Sequence, residues 1–272
     1  MHRDLVRRFY NYLSFGNKRT AYIYANHVRN FLDYVGKPLD EITSVDVTDW
    51  LVFLKEKGYR EKGYGDRTLH LCLCALRKFF KVMRMYEILD ELPKEITYEA
   101  PAPRWLEPDV AFKLIDRVPV LCVAYDLALR INELSYLSTH TLNLNTGDVE
   151  VTRLKHKGHP NKYMLKMDEW CLDVVRDYVK RFNVRGRLFP MSTMTVNRIF
   201  RRRRNALGLD EKYKFHCLRH SRITHIAIKE LEEKGTVDEL TLAKFAGHLR
   251  QETTRLYVHL AAKYLAFRRA KP

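Results

Sequence analysis

The sequence predicts a mainly α chain of α+β class, with a helical N-terminal domain and a mostly helical second domain carrying one small antiparallel β-sheet. Three observations predict it. Apolar residues recur at helical spacing through most of the 272 residues. Residues 141–166 switch to alternation, with Leu142 and Leu144, then Val149 and Val151, at strand spacing. The tract 91–108 holds four prolines and breaks every period, which marks a linker.

In chain order, residues 4–14 place Leu5, Phe9, Tyr12 and Leu13 on one helical face, and residues 19–35 do the same with Tyr22, Ala25, Val28, Phe31, Leu32 and Val35. Gly36 stops the second helix. Thr43 or Ser44 offers an N-cap to a third, Val45 to Lys57, which Gly58 ends. The tract 58–66 carries three glycines and reads as an exposed loop. Asp66 caps a fourth helix over 67–85, with Leu69, Leu73, Leu76, Phe79, Phe80 and Met83 as its apolar face. The expected division is a first domain over 1–98, a linker over 99–108 and a second domain over 109–272. That second domain opens with a helix from Glu107 or Pro108 through Arg117 and another over 120–129. Two or three short strands follow, turned by Asn145-Thr146-Gly147-Asp148 and Gly158-His159-Pro160-Asn161. Helices resume over 168–182, 192–207, 216–233, 238–246 and 250–265.

The formal charge is +16, and it is uneven. Residues 1–100 carry 17 Lys and Arg against 14 Asp and Glu, whereas residues 101–272 carry 32 against 19. A basic second half suits a polyanion such as nucleic acid. The five cysteines lie inside apolar patterns without paired CxxC spacing, so neither a disulfide framework nor a zinc site is expected, and a reducing cytoplasm is the default. The N-terminus lacks the apolar core of a signal peptide, and no apolar run approaches the roughly 20 residues of a membrane span.

The chemistry concentrates between Phe215 and Tyr257. His216-Cys217-Leu218-Arg219-His220 opens the stretch, Gly247-His248 follows, and Tyr257 lies nine residues after that histidine. Arg presents a planar fork of donors that fits two phosphate oxygens. His216 and His220 share a helix face, but HxxRH lacks the glutamate of a zinc HExxH motif, and the arginine between them opposes a second cation. Arg, His and Tyr without carboxylates suit an anionic phosphodiester handled without a metal. Arg201-Arg202-Arg203-Arg204 wraps around a helix, so the four cannot all meet one groove. Arg198 and Lys214 are further candidates for phosphate contacts.

The stretch resembles the signature of the tyrosine recombinases, the phage-integrase and Xer family, which reads H-x-x-R-H…G-H-x(8)-Y and is matched in full. Ala128-Leu129-Arg130-Ile131-Asn132-Glu133-Leu134 is similar to the family's G-L-R-[IV]-[SA]-E-L block, with Ala128 in place of the usual glycine and Asn132 in place of a small residue. The connector 36–43 and the stretch 68–83 resemble the family's helical core-binding domain, so the likeness spans nearly the whole chain.

The resemblance implies a site-specific DNA recombinase that clamps duplex DNA between its two domains and works as a homotetramer on two DNA sites through a Holliday junction, with no cofactor and no metal. Arg130 and Arg219 would hold the scissile phosphate. Tyr257 would attack it to give a 3′-phosphotyrosine, His216 would assist proton transfer, and His248 would hydrogen-bond the phosphate. Glu133 and His220 would support their neighbours. A lysine on the hairpin would protonate the leaving 5′-oxygen; Lys155 and Lys157, 25 and 27 residues after Arg130, share strand parity. Lys155 is preferred because Lys157 abuts the turn glycine. The apolar tail after Tyr257, with Leu260, Tyr264, Leu265 and Phe267, would pack on a neighbouring protomer. A cytoplasmic, nucleoid-associated protein is expected. The competing readings are a type IB topoisomerase-like relaxing enzyme, a non-catalytic DNA-binding relative, and a metal nuclease, which would call for carboxylate clusters that the motif lacks.

Overall fold

The computed structural model describes residues 2–59, 61–99, 101–153 and 161–270, in two compact units, Met1–Pro101 and Ala102–Pro272. The first unit holds α1 (Arg3–Ser14), α2 (Lys18–Val35), α3 (Ser44–Glu56), α4 (Asp66–Met83) and α5 (Tyr86–Glu91). Local chemistry sets the helix ends. The Asn17 side chain accepts from the Thr20 N–H at the start of α2, and Gly36 closes that helix at φ +67°. Thr43 and Asp46 form a reciprocal capping box on α3. The apolar faces meet in one core, where Phe9 packs edge-on against Phe79 and Phe31 edge-on against Trp50, each pair 5.4 Å between centroids.

Most described residues of the tract 58–66 are exposed, as its glycines suggest, yet the tract is anchored. Tyr59 Oη accepts from Trp50 Nε1 at 2.9 Å and donates to the Asn30 carbonyl at 2.7 Å, which ties the loop to α2 and α3. A Cβ at Gly63 would stand 2.0 Å from the Lys55 carbonyl oxygen, so this glycine permits a close backbone approach.

The second unit holds α6 (Pro108–Ile115), α7 (Pro119–Asp126), a 3-10 turn (Glu133–Tyr136), β1 (Asp148–Arg153), β2 (Asn161–Lys166), α8 (Glu169–Phe182), α9 (Thr193–Ala206), α10 (Cys217–Lys234), α11 (Glu239–Ala246) and α12 (Gln251–Arg269). Every residue of α7 from Val120 to Asp126 is buried, so this helix is the axis of the unit. A second apolar cluster joins Ala128 to α10, α11 and α12. The end of the proline-rich tract is docked here: Leu106 is buried, its N–H donates to Ser221 Oγ at 2.8 Å, and Trp105 packs edge-on against Tyr264.

Among the described residues the sheet has two strands, antiparallel, with Val149 opposite Leu165, Val151 opposite Tyr163 and Arg153 opposite Asn161. The expected alternation at 142–144 is a turn instead. Asn143 Oδ1 accepts from the N–H groups of Asn145 and Thr146, and Leu142 joins the sheet only through an isolated bridge to Val149. Val149, Val151 and Arg153 point to the buried face of β1.

Part of the tail packs on its own chain, while Phe267 stays exposed. Residues after Tyr257 continue α12 without a break, and Ala261 and Leu265 are buried in the cluster of Ile223, Ala227 and Ile228 of the same chain. A helix with this apolar stripe can bury it on its own α10 without waiting for a second protomer. Among the described residues no helix is long and apolar enough to cross a membrane.

The tail's docking on its own chain is open to a stability measurement. Leu265→Ala should cost about 2–4 kcal/mol in urea unfolding, while Lys263→Ala on the exposed side should stay within about 0.5 kcal/mol. Equal, near-zero effects would show that the tail is not held by its own chain.

Candidate active site

The site forms where the loop after α7, the end of β1, the start of α10, the end of α11 and the first turns of α12 converge. The loop turns sharply at Ala128, whose φ is +47°. That left-handed conformation accounts for the glycine usual at this position, since a side chain there costs about 1–2 kcal/mol. Asn132 is exposed, so nothing in its surroundings demands a small residue.

Arg219, in the first turn of α10, is 2% exposed. Its Nη1 donates to the Ala128 carbonyl at 2.5 Å and its Nη2 to the Ala246 carbonyl. Arg153 makes a parallel set of bonds one residue earlier on each segment: Nη2 donates to the Phe245 carbonyl at 2.7 Å, with a longer 3.5 Å contact to the Leu127 carbonyl. Its Nη1 donates to Glu133 Oε2 at 2.9 Å. Glu133 is fully buried and also accepts from Arg130 Nη1 (Oε1) and from the Arg130 backbone N–H (Oε2), each at 2.8 Å. Burial would raise the Glu133 pKa, but Arg153 and Arg130 outweigh it and hold the carboxylate below its usual range. Burial, then Arg130 and Arg153, lower Arg219 to about 9, so the guanidinium remains charged at neutral pH.

Tyr257 is 3% exposed on α12, between two histidines. Its hydroxyl lies 2.6 Å from His220 Nδ1, and its ring stacks on His248 at 5.5 Å between centroids and 17° between planes. His248 follows Gly247, which ends α11 at φ +65° and turns the chain so that Nδ1 bonds buried Thr254 Oγ1 at 3.0 Å. His216 is exposed, at the N-cap of α10, with its ring edge-on to His220 at 4.6 Å. Burial, followed by His216, Arg219 and His248, pushes His220 down to about 3; burial, followed by Arg219, Arg130, Arg153 and His216, pushes His248 down to about 4. Burial raises the Tyr257 pKa, and Arg219 and Arg130 pull against that rise.

The structure thus brings Arg130, Glu133, Arg219, His220, His248 and Tyr257 into one constellation, with His216 at its edge. Lys155 and Lys157 lie outside the described residues. Arg198, Arg201 and Arg202 are exposed at i, i+3 and i+4 on α9, so they share one face, and Lys214 is exposed. Arg203 and Arg204 do not join that face. Arg203 donates to the carbonyls of Lys113 and Leu114, and Arg204 is buried, donating to the carbonyls of Glu211 and Tyr213. The helical wrap of the run turns these two inward, where their donors close loops. Sequence reasoning missed Arg153 and Thr254. The signal for Arg153 was its parity with Val149 and Val151, which puts a charged side chain on the apolar face of a strand.

The profile of the Phage integrase family matches residues 109–263, and that of the phage integrase N-terminal SAM-like domain matches residues 4–85. Among curated proteins, tyrosine recombinase XerA of Saccharolobus solfataricus is 26% identical over 269 residues, covering 94% of this chain and 88% of its own. XerA of Pyrococcus furiosus is 27% identical over 281 residues, covering 96% and 91%. Among solved structures, XerH site-specific recombinase bound to palindromic difH substrate aligns with a TM-score of 0.70 at 19% identity, over 92% of this chain and 79% of that one. A lambda integrase dimer bound to a COC′ core site gives 0.68 at 16%, over 94% and 76%. At those identities the structural likeness is one of fold.

The lowered histidine pKa values give a signed expectation. The unfolded imidazoles take up protons near pH 6.5, whereas His220 and His248 do so in the fold only near 3 and 4. Lowering the pH from 6.5 toward 4 therefore favours the unfolded chain. In proton–carbon NMR spectra both rings should keep neutral shifts at pH 5.5; a midpoint near 6.5 for either would contradict this burial.

Proposed function

The chain belongs to the phage integrase family of tyrosine recombinases, and from that premise we propose that it cleaves and rejoins duplex DNA at a specific site through a 3′-phosphotyrosine formed on Tyr257. The observation that carries this reading is the Tyr257 hydroxyl, 2.6 Å from a neutral imidazole and beside two arginines. A phenol near its ordinary pKa of about 10 is a poor nucleophile at pH 7 unless a base takes its proton as the bond forms.

In the proposed step, Tyr257 Oη attacks phosphorus and passes its proton to His220 Nδ1, with His216 next in line at the exposed edge. The bond from phosphorus to the 5′-oxygen breaks, and that oxygen leaves as a hydroxyl after protonation by a hairpin lysine, Lys155 or Lys157. Attack by a 5′-hydroxyl on the phosphotyrosine reverses the step. One phosphodiester is exchanged for another, so the reaction needs no ATP, and the arginines supply the charge stabilisation that a metal would otherwise give. Arg130 and Arg219 hold the non-bridging oxygens. His248, bonded through Nδ1 to Thr254, presents Nε2 to the phosphate. An anion entering the site raises the pKa of His220, which strengthens it as a base when substrate is in place.

Residues 1–98 serve as the core-binding domain and 109–272 as the catalytic domain. Arg198, Arg201, Arg202 and Lys214 contact the DNA backbone. The related lambda integrase structure described as a tetramer bound to a Holliday junction supports four protomers acting together on two sites. Such a protein works with the chromosome in the cytoplasm.

Nicked target DNA, from which the cleaved end diffuses away, should trap a protein–DNA adduct on a denaturing gel. Tyr257→Phe should form none. Arg130→Ala should slow adduct formation about 100-fold or more, the scale of losing one charge-stabilising donor, with DNA affinity largely kept because many other cations supply it. An adduct that persists in Tyr257→Phe would overturn the assignment.

A further inference from the structure

Resting on that reading of the site, we propose that Arg153 is a positioning residue for the reaction, a buried guanidinium that aims Arg130 at the phosphate and fixes its distance from the His248 turn. Arg153 does this through Glu133 on one side and the end of α11 on the other.

The geometry is a relay. Arg153 Nη1 bonds Glu133 Oε2 at 2.9 Å, and the other Glu133 oxygen bonds Arg130 Nη1 at 2.8 Å. Arg153 itself is 2% exposed, whereas the Arg130 side chain is 22% exposed. Arg153 is therefore enclosed by protein, and Arg130 is the member of the relay left open to a ligand. The second arm of Arg153 reaches the Phe245 carbonyl, two residues before Gly247. A Cβ built on Gly247 would meet Arg153 Nε at 3.3 Å and Cδ at 3.4 Å, so the turn that presents His248 lies directly on this side chain. Glu133 and the His248 turn are far apart in sequence, and Arg153 touches both.

Electrostatics make the role specific. Glu133 is fully buried and held between two arginines. Without Arg153 the cation directly bonded to the Glu133 carboxylate would be Arg130, with Arg219 acting on it only through space, in a setting where a poorly paired carboxylate is costly. The Arg130 fork would be drawn onto Glu133 and away from the phosphate. A shift of about 1 Å in a group that positions the reacting centre can cost about 100-fold in rate.

The test is single-turnover adduct formation on nicked DNA bearing either an ordinary phosphate or an uncharged methylphosphonate at the scissile position. Arg153→Met should slow the reaction about 100-fold on phosphate and much less on methylphosphonate, which is neutral in the ground state and carries one negative charge fewer in the transition state for Arg130 to stabilise. Adding Glu133→Gln should restore part of the loss, because the buried charge to be balanced is gone, a non-additivity expected of coupled partners. Arg153→Lys, which keeps the charge beside Glu133 but loses the reach to Phe245, should fall between wild type and Arg153→Met and secures the comparison if the Met variant folds poorly. Equal penalties on both DNAs with no recovery in the double variant would reduce Arg153 to a fold-holding residue and overturn this role alone. Wild-type protein forming no adduct on either DNA would overturn the function reading and this role with it.

Discussion

Three guanidinium groups, those of Arg130, Arg153 and Arg219, surround a single carboxylate, that of Glu133, in a region largely closed to water. The excess positive charge is the constraint on which the remaining site features depend. After burial and His216, Arg219 lowers His220, and after burial Arg219, Arg130 and Arg153 lower His248. Arg219 and Arg130 also pull against, without cancelling, the rise that burial imposes on Tyr257. A site short of negative charge is completed by an anionic ligand, and a phosphodiester meets the fork geometry of the arginines as well as their charge.

The contrast within α10 is instructive. Three residues after Arg219, Arg222 meets two carboxylates, Asp126 at 3.1 Å and Asp168 at 2.6 Å, and the pair raises its pKa. That cluster sets one guanidinium against two carboxylates and ties α10 to α7 and to the start of α8. Arg219 by comparison bonds backbone carbonyls of Ala128 and Ala246. Those bonds fix its direction without neutralising it. Together with the Arg153 bonds to Leu127 and Phe245, they fasten the loop after α7 to the end of α11 at two consecutive residues on each. The fold thus brings distant blocks of sequence together with charges that the protein itself leaves uncompensated.

Most of the helices were legible in the sequence, because apolar periodicity, glycine stops and side-chain caps act locally. Asn17, Thr43 and Gly36 do in the structure what their residue types imply. The short strands were legible from Val149 and Val151, whereas Leu142 and Leu144 misled, since two apolar residues at strand spacing also fit a turn closed by Asn143. In the site, motif spacing gave Arg219, His248 and Tyr257 but not their contacts. Which histidine meets Tyr257 depends on the packing of α12 against α10, a long-range arrangement with no local signature; His220 touches the hydroxyl, while His216 was the residue expected to assist proton transfer. Arg203 and Arg204 were misjudged for the same reason. A run of four arginines looks uniform in sequence, and only the direction of each side chain separates loop-closing residues from exposed ones.

The central claim is that Tyr257, held among these charges, is the atom donor of the covalent bond to DNA. It is tested most directly by nuclease digestion of the trapped adduct, proteolysis, and mass spectrometry of the nucleotide-bearing peptide. The expected result is a single modified site at Tyr257, linked to a 3′-phosphate, with the neighbouring Tyr264 unmodified. A nucleotide on any other residue, or a linkage through a 5′-phosphate, would contradict it.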